Sequence, residues 1–265
     1  MDAADLYRTM NNQDTTTNRR IDVHQPGSTL FHVNRLSKQF GRIAALADVS
    51  FSVRAGEVLG LIGPNGAGKT TLFECLAGVL PVDAGGIRVN GRPLTSRERA
   101  ALVFYLPDGI APWSAQPVGW VVDFMIGLFG GDPSLRSEVI EQLDLRPLLD
   151  RPMGLLSKGQ RKRALLAMGL LTPQPVLLAD EPFDGLDLRQ TRDVATTLRA
   201  HANRGRTLFL SIHQIADAAR VCDRFVLLSG GRVCGEGTPE ELAGLATARA
   251  NIPSRDLEEV FLALT

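Results

Sequence analysis

The segment Gly63-Pro64-Asn65-Gly66-Ala67-Gly68-Lys69-Thr70 constrains this chain more than any other, because it stands between two runs of different character. Before it, Val58 to Ile62 is apolar almost throughout; after it, Thr71 to Leu80 is helix-capable. Glycine spacing of the form G-x-x-x-x-G-K-[ST] between a strand and a helix is that of a phosphate-binding loop. The glycines let backbone N–H groups converge on an anion, and the following helix turns its N-terminus to the same charge. Lys69 is placed to reach the outer phosphate oxygens, and Thr70 to ligate Mg²⁺. A glycine turn that binds nothing is the plain alternative, and the strand-loop-helix context disfavours it.

Three more runs share the all-apolar character of Val58 to Ile62: Val176 to Ala179, Thr207 to Ile212 and Phe225 to Leu228. Strands of this kind are buried on both faces, as in a mostly parallel sheet covered by helices, so the expected fold class is α/β. Ligands of such sheets lie beyond the carboxyl ends of the strands. There the sequence puts the glycine loop, then Asp180 and Glu181, then His213. Adjacent carboxylates at a strand end divide labour, Asp180 holding the Mg²⁺ sphere and Glu181 polarising the water that attacks the γ-phosphate. Loop and carboxylates together define a P-loop nucleotide hydrolase. A guanine-reading Asn-Lys-x-Asp motif is missing, which speaks against a GTPase.

Other residues narrow the class. Leu156-Ser157-Lys158-Gly159-Gln160 precedes a helix and stands ahead of Asp180, and here the chain resembles the ATP-binding cassette (ABC) ATPases, whose signature is L-S-G-G-Q. Lys158 replaces the family's glycine. The resemblance implies that Ser157, Gly159 and Gln160, with Lys158 adding charge, close over a γ-phosphate held by a second subunit; an ordinary Ser-capped helix is the alternative. In the same order, Gly185-Leu186-Asp187 resembles the family's D-loop, and His213 its γ-phosphate-sensing switch. Phe40 resembles the aromatic that stacks on adenine, a core phenylalanine being the competing reading. Thr71 closes the ATP-binding loop. Asp108, in Leu106-Pro107-Asp108 after a strand expected over Ala101 to Leu106, stands where the family has a glutamine, and is a candidate third metal ligand.

What the resemblance implies covers nearly the whole chain. A polar tail over residues 1–28 leads into an ABC ATPase domain over 29–265, with an antiparallel N-terminal β subdomain and a helical subdomain inserted over about 108–165. Within that insert, Ser134 to Leu149 reads as helical and amphipathic, and Val118 to Phe129, with Trp113 and Trp120 nearby, as a candidate docking surface, a buried helix of the insert being the competing reading. A hairpin at Gly230 to Arg232 and a helix start at Thr238 lead into a C-terminal extension over about 238–265. The ending Ser254 to Phe261 is similar to that of branches serving export permeases, a closing helix packed on the core being the plain alternative.

The expected protein is thus the ATP-binding, ATP-hydrolysing subunit of an exporter, using ATP and Mg²⁺. Two copies would pair head to tail as a homodimer on the cytoplasmic face of the membrane, driving a transmembrane permease on a separate chain. No run approaches a membrane span, and the acidic start Met-Asp-Ala-Ala-Asp lacks the marks of a signal peptide. With 29 basic against 29 acidic side chains, the composition argues against nucleic acid as a partner. Cys75, Cys222 and Cys234 are too few and too scattered for a zinc site or a disulfide framework. A soluble ABC-type ATPase of DNA repair or translation is the alternative function.

Overall fold

The computed structural model describes residues 27–110, 112–213, 220–250 and 256–264. Most of the segment expected as a tail, through residue 26, lies outside the described residues, as do Ser254 and Arg255 of the C-terminal ending. In chain order come β1 (Thr29–Phe40), β2 (Ile43–Arg54), β3 (Val58–Ile62), α1 (Lys69–Ala77), β4 (Ala84–Val89), β5 (Arg92–Pro93), α2 (Ser96–Leu102) and β6 (Val103–Leu106). There follow α3 (Val118–Phe129), α4 (Arg136–Gln142), α5 (Lys158–Leu170), β7 (Val176–Asp180), α6 (Leu188–Asn203), β8 (Thr207–Ser211), β9 (Arg224–Ser229), β10 (Arg232–Gly237), α7 (Pro239–Ala250) and α8 (Leu257–Leu264).

The chain divides into two compact units. The larger carries both sheets. One has the order β2-β1-β4-β5 and is antiparallel throughout; the other runs β10-β9-β3-β8-β7-β6, parallel except for the β9–β10 hairpin. The expected α/β class, with its mostly parallel sheet and antiparallel N-terminal sheet, is what is found. Every residue of β3, β7 and β8 is buried, which is why these strands carry no apolar–polar alternation. Because β3, β8, β7 and β6 run parallel, their carboxyl ends share one edge, and the segments after them meet there.

Helix α1 is fixed to the sheet by Phe73. Its ring meets Phe209 of β8 edge-on at 5.0 Å and Tyr105 of β6 at 6.0 Å, while Phe51 of β2 meets Phe209 at 5.5 Å. Burying one such ring contributes about 1.5–3 kcal/mol. The helix is shorter than the run Thr71 to Leu80 suggested: Gly78, at φ 80°, ends it by a left-handed cap that donates to Cys75 O. Neither does the strand before Asp108 begin at Ala101. Thr95 and Glu98 form a capping box that starts α2, and that helix runs through Leu102.

The smaller unit, over 112–173, is helical. Helix α3 buries Val118, Val121, Val122, Met125 and Ile126, one stripe of helical period. On its other side Trp120 stacks on Phe124 with ring centroids 5.2 Å apart, and Trp113 meets the same ring edge-on. Both tryptophans are more than two-fifths exposed. The helical stretch expected over Ser134 to Leu149 is broken instead. A 3₁₀ turn at Pro133–Leu135 precedes α4, Asp144 takes a left-handed conformation at φ 49°, and a second 3₁₀ turn spans Arg146–Leu148. Arg163 of α5 holds the break, donating to the carbonyls of Leu143 at 2.8 Å and Asp144 at 3.1 Å.

Candidate functional site

Between β3 and α1, the chain from Gly63 to Thr70 folds as a tight loop in which Ala67 N donates to Pro64 O at 3.1 Å. Gly68 has φ 105°, a conformation that costs a side-chained residue dearly, and a Cβ there would stand 2.6 Å from Ala45 O. Glycine is therefore required both by its dihedral and by the close approach of β2. No side chain caps α1, so its first-turn N–H groups face the loop and are available to an anion.

A brace holds this loop that sequence reasoning did not find. Gly231, in the β9–β10 turn, donates to Ala67 O at 3.1 Å and accepts from Ala47 N at 2.8 Å. Its φ of 73° and the 2.6 Å between a would-be Cβ and Ala45 O leave room for glycine alone. The Gly-Gly pair signalled a hairpin, but nothing local says what that hairpin touches.

Lys69 is buried, and its Nζ donates to Gly63 O at 2.7 Å and Pro64 O at 3.2 Å. Burial holds its ammonium below the usual lysine range, against the upward pull of the Glu181 and Asp180 carboxylates. Thr70 Oγ1 donates to Asp180 Oδ2 at 2.9 Å, so the loop and the end of β7 are joined by the two groups expected at the metal. Ser211, the last residue of β8, donates to the other carboxylate oxygen, Asp180 Oδ1. Beside them burial, then the charge of Asp180, pushes the Tyr105 hydroxyl above the usual phenol range.

Glu181 follows at φ 51°, in the left-handed region that residues with a Cβ seldom adopt. Its N–H is received by Ser211 O at 3.2 Å and Ser211 Oγ at 3.0 Å, and its carboxylate Oε1 lies 2.5 Å from His213 Nε2. Carboxylate oxygens of Asp108, Glu181 and Asp184 all lie within 4.8 Å of one another. A pocket of about 490 Å³ opens beside them, lined by Glu181, Asp184, Asp187, Ser211 and His213 among others. The donors here are hydroxyl and carboxylate oxygens, the hard ligands that Mg²⁺ takes, so the residues present suit that ion.

Phe40, at the end of β1, is 49% exposed, which removes the reading of a core phenylalanine. Lys38 Nζ stands 5.5 Å from its ring centroid and is itself held by Asp83 Oδ1 at 3.1 Å. Asp187 caps α6, accepting from Gln190 N at 2.8 Å. Ser157 caps α5 in the smaller unit, its Oγ accepting from Gln160 N at 3.3 Å while Gln160 Oε1 accepts from Ser157 N at 3.0 Å. Lys158 and Gly159 open that helix. The Ser-capped helix is therefore real, and it sets the signature residues at a helix N-terminus.

Similarity to known proteins is extensive. Residues 46–184 match the family described as ABC transporter. The Hemin import ATP-binding protein HmuV of Streptomyces coelicolor is 35% identical over 228 residues, covering 82% of this chain and 81% of that protein. The Nod factor export ATP-binding protein I of Bradyrhizobium diazoefficiens is 36% identical over 215 residues, with 77% and 69% covered. A solved ATP binding subunit of an ABC transporter superposes with a TM-score of 0.79 at 26% identity, over 88% of this chain and 98% of that one.

Proposed function

From the premise that this chain belongs to the ABC transporter family, as one of its ATP-hydrolysing ATP-binding subunits, we propose the following roles for its residues. Gly63 to Thr71 cradle the β- and γ-phosphates of ATP, with Lys69 and the N-terminus of α1 supplying positive charge. Thr70 and Asp180 would hold Mg²⁺, with Asp108, whose carboxylate lies near that of Glu181, as a further ligand; the ion would neutralise phosphate charge when bound. Glu181 is the general base, and His213 orients it. Phe40 is the adenine platform.

The observation that carries this reading is the Thr70–Asp180 hydrogen bond at 2.9 Å, with Glu181 the next residue and its carboxylate held by His213. It supports the reading because in-line attack of water on a γ-phosphate needs a phosphate cradle, oxygen donors and a base close together, and Gly63 to Thr70, Asp180 and Glu181 share one sheet edge.

Two chains face head to tail, so that Ser157, Lys158, Gly159 and Gln160 of one close over the ATP of the other, with Asp187 at the crossing. A separate transmembrane permease is the driven partner, and the tryptophans beside α3 are its proposed contact; the subunit works on the cytoplasmic face. Among the described residues no helix is long and apolar enough to cross a membrane. The proposed domain extends over 29–265, its helical subdomain over about 108–165 and its C-terminal extension over about 238–265. Transport as the task is favoured over DNA repair or translation by the relatives' names. Export is the finer half of the proposal and rests on the C-terminal ending; the relatives are named for hemin import as well as Nod factor export.

Two variants test the reading. Glu181→Gln should bind ATP as the wild type does and lose turnover, and continued hydrolysis would remove Glu181 from the role of base. Lys69→Ala should lose nucleotide affinity, and undiminished ATP binding would refute the loop assignment.

A further inference from the structure

We propose that Ser211 is the positioning residue that locks Asp180 and Glu181 into working register. The inference rests on the reading of those two residues given above and goes beyond it, to a side chain that the motifs leave out. Ser211 is wholly buried at the end of a strand that is otherwise aliphatic and aromatic from Leu208 on. A buried hydroxyl must find partners. The usual solution within a strand is a nearby backbone carbonyl; this one spends its proton on the Asp180 carboxylate and its lone pair on the Glu181 N–H.

The consequences follow from what each bond restrains. Asp180 has two oxygens, and with Oδ1 held by Ser211 the carboxylate is turned so that Oδ2 meets Thr70 at 2.9 Å. Without that donor the carboxylate keeps Thr70 but loses the restraint on Oδ1, so its orientation is less firmly set. On the other side, the β7–β8 ladder ends at the Asp180–Ser211 pairing, and the next residue turns into the left-handed region. Such a conformation persists only where the surroundings over-determine it. Both acceptors of the Glu181 N–H, Ser211 O and Ser211 Oγ, belong to one residue. Two positions on, His213 of the same chain segment meets the Glu181 carboxylate. The end of β8 thus grips Glu181 by its backbone and by its side chain, and the first of these grips is Ser211.

A set of substitutions separates positioning from packing. Ser211→Thr keeps the hydroxyl, Ser211→Val keeps the shape of threonine without it, and Ser211→Ala removes the group with no added bulk. Two readouts are taken on each full-length chain: ATPase kcat and KM, and the rise in melting temperature given by Mg²⁺ with ATP over that given by ATP with chelator. Losing a hydrogen bond to a charged group predicts a fall in kcat of about tenfold to a hundredfold for Ala and Val, with KM for ATP within about threefold. The Mg²⁺-dependent part of the melting shift should shrink in both, the ATP–chelator part should not, and Thr should restore both readouts. Wild-type behaviour of Ser211→Ala in both readouts overturns the proposal, and so does a Thr variant as impaired as Val, which would mark a packing role. If Ser211→Ala does not fold, the Thr and Val pair carries the comparison by itself. A wild-type chain without turnover under any condition would count against the functional reading instead, and the Mg²⁺-dependent melting shift would still decide the role of Ser211.

Discussion

Replacing Glu181 by glycine and by alanine should separate what this residue costs the fold from what it gives the chemistry. Glu181 stands at φ 51°, and its backbone N–H is bonded to Ser211 whatever its side chain. A residue with a Cβ in the left-handed region carries a penalty of about 1–2 kcal/mol that glycine escapes. Glycine gives back about 0.4–1 kcal/mol through the greater freedom of its unfolded chain. The balance leaves Glu181→Gly more stable than Glu181→Ala by about 0.5–1 kcal/mol, or about 1–4 °C in melting temperature for a chain of this size. Both substitutions remove the contact with His213, so that loss cancels in the comparison. Thermal melts of the two nucleotide-free variants read the difference, and both should lack turnover. A glycine variant that melts at or below the alanine one would refute the claim that Glu181 is held in a strained backbone.

Three more outcomes are expected. Phe40→Ala should weaken ATP binding about fivefold in a fluorescent-nucleotide titration, the low end of what stacking on a base contributes because the ring is half exposed; unchanged affinity would dismiss it as the platform. Burial raises the carboxyl of Glu57 above its ordinary value, with Arg54 N–H and Arg224 pulling it back. Its contribution to stability is therefore fully present below pH about 4.5 and is lost as pH rises through the raised value. The melting temperature of wild type minus that of Glu57→Gln should accordingly fall as pH rises above about 4.5, and a difference that grows would reverse the sign. Finally, burial pushes the Cys75 thiol up to about 11 and raises that of Cys222 as well, while Cys234 is partly exposed. A thiol reagent at pH 8 should find Cys234 alone in the native chain and all three cysteines after denaturation; fast reaction at Cys75 would contradict the packing of α1.

That the glycine loop, the carboxylates of Asp180 and Glu181 and His213 stand at one sheet edge was legible in the sequence for one physical reason. Each stands at or just beyond the end of a strand buried on both faces, where an apolar run ends abruptly in polar residues. The parallel sheet then gathers those ends without any information beyond the runs themselves. Elements went wrong where a distant or competing contact decides. The amphipathic period runs on through Ser134 to Leu149, yet Asp144 turns left-handed, the residue before Pro147 is discouraged from helix, and Arg163 takes the freed carbonyls from α5. At Ala101 the apolar residues suggested a strand, and the capping box at Thr95 and Glu98 carried the helix through them. The capping pair itself is written in the sequence. The brace at Gly231 and the clasp at Ser211 are of another kind. One is a backbone contact across the sheet; the other is a lone serine in an apolar strand, whose partners are known only once β7 lies beside β8.

The central claim is that each chain holds only half of each active site, and the mass of Glu181→Gln in solution tests it most directly. With saturating ATP and Mg²⁺ this variant should scatter light as twice the 28.7 kDa of one chain, and with ADP as a single chain. Adding Ser157→Arg, which blocks the signature helix at its cap, should return the ATP-bound protein to a single chain. A Glu181→Gln protein that binds ATP and stays at 28.7 kDa at every concentration would contradict the account.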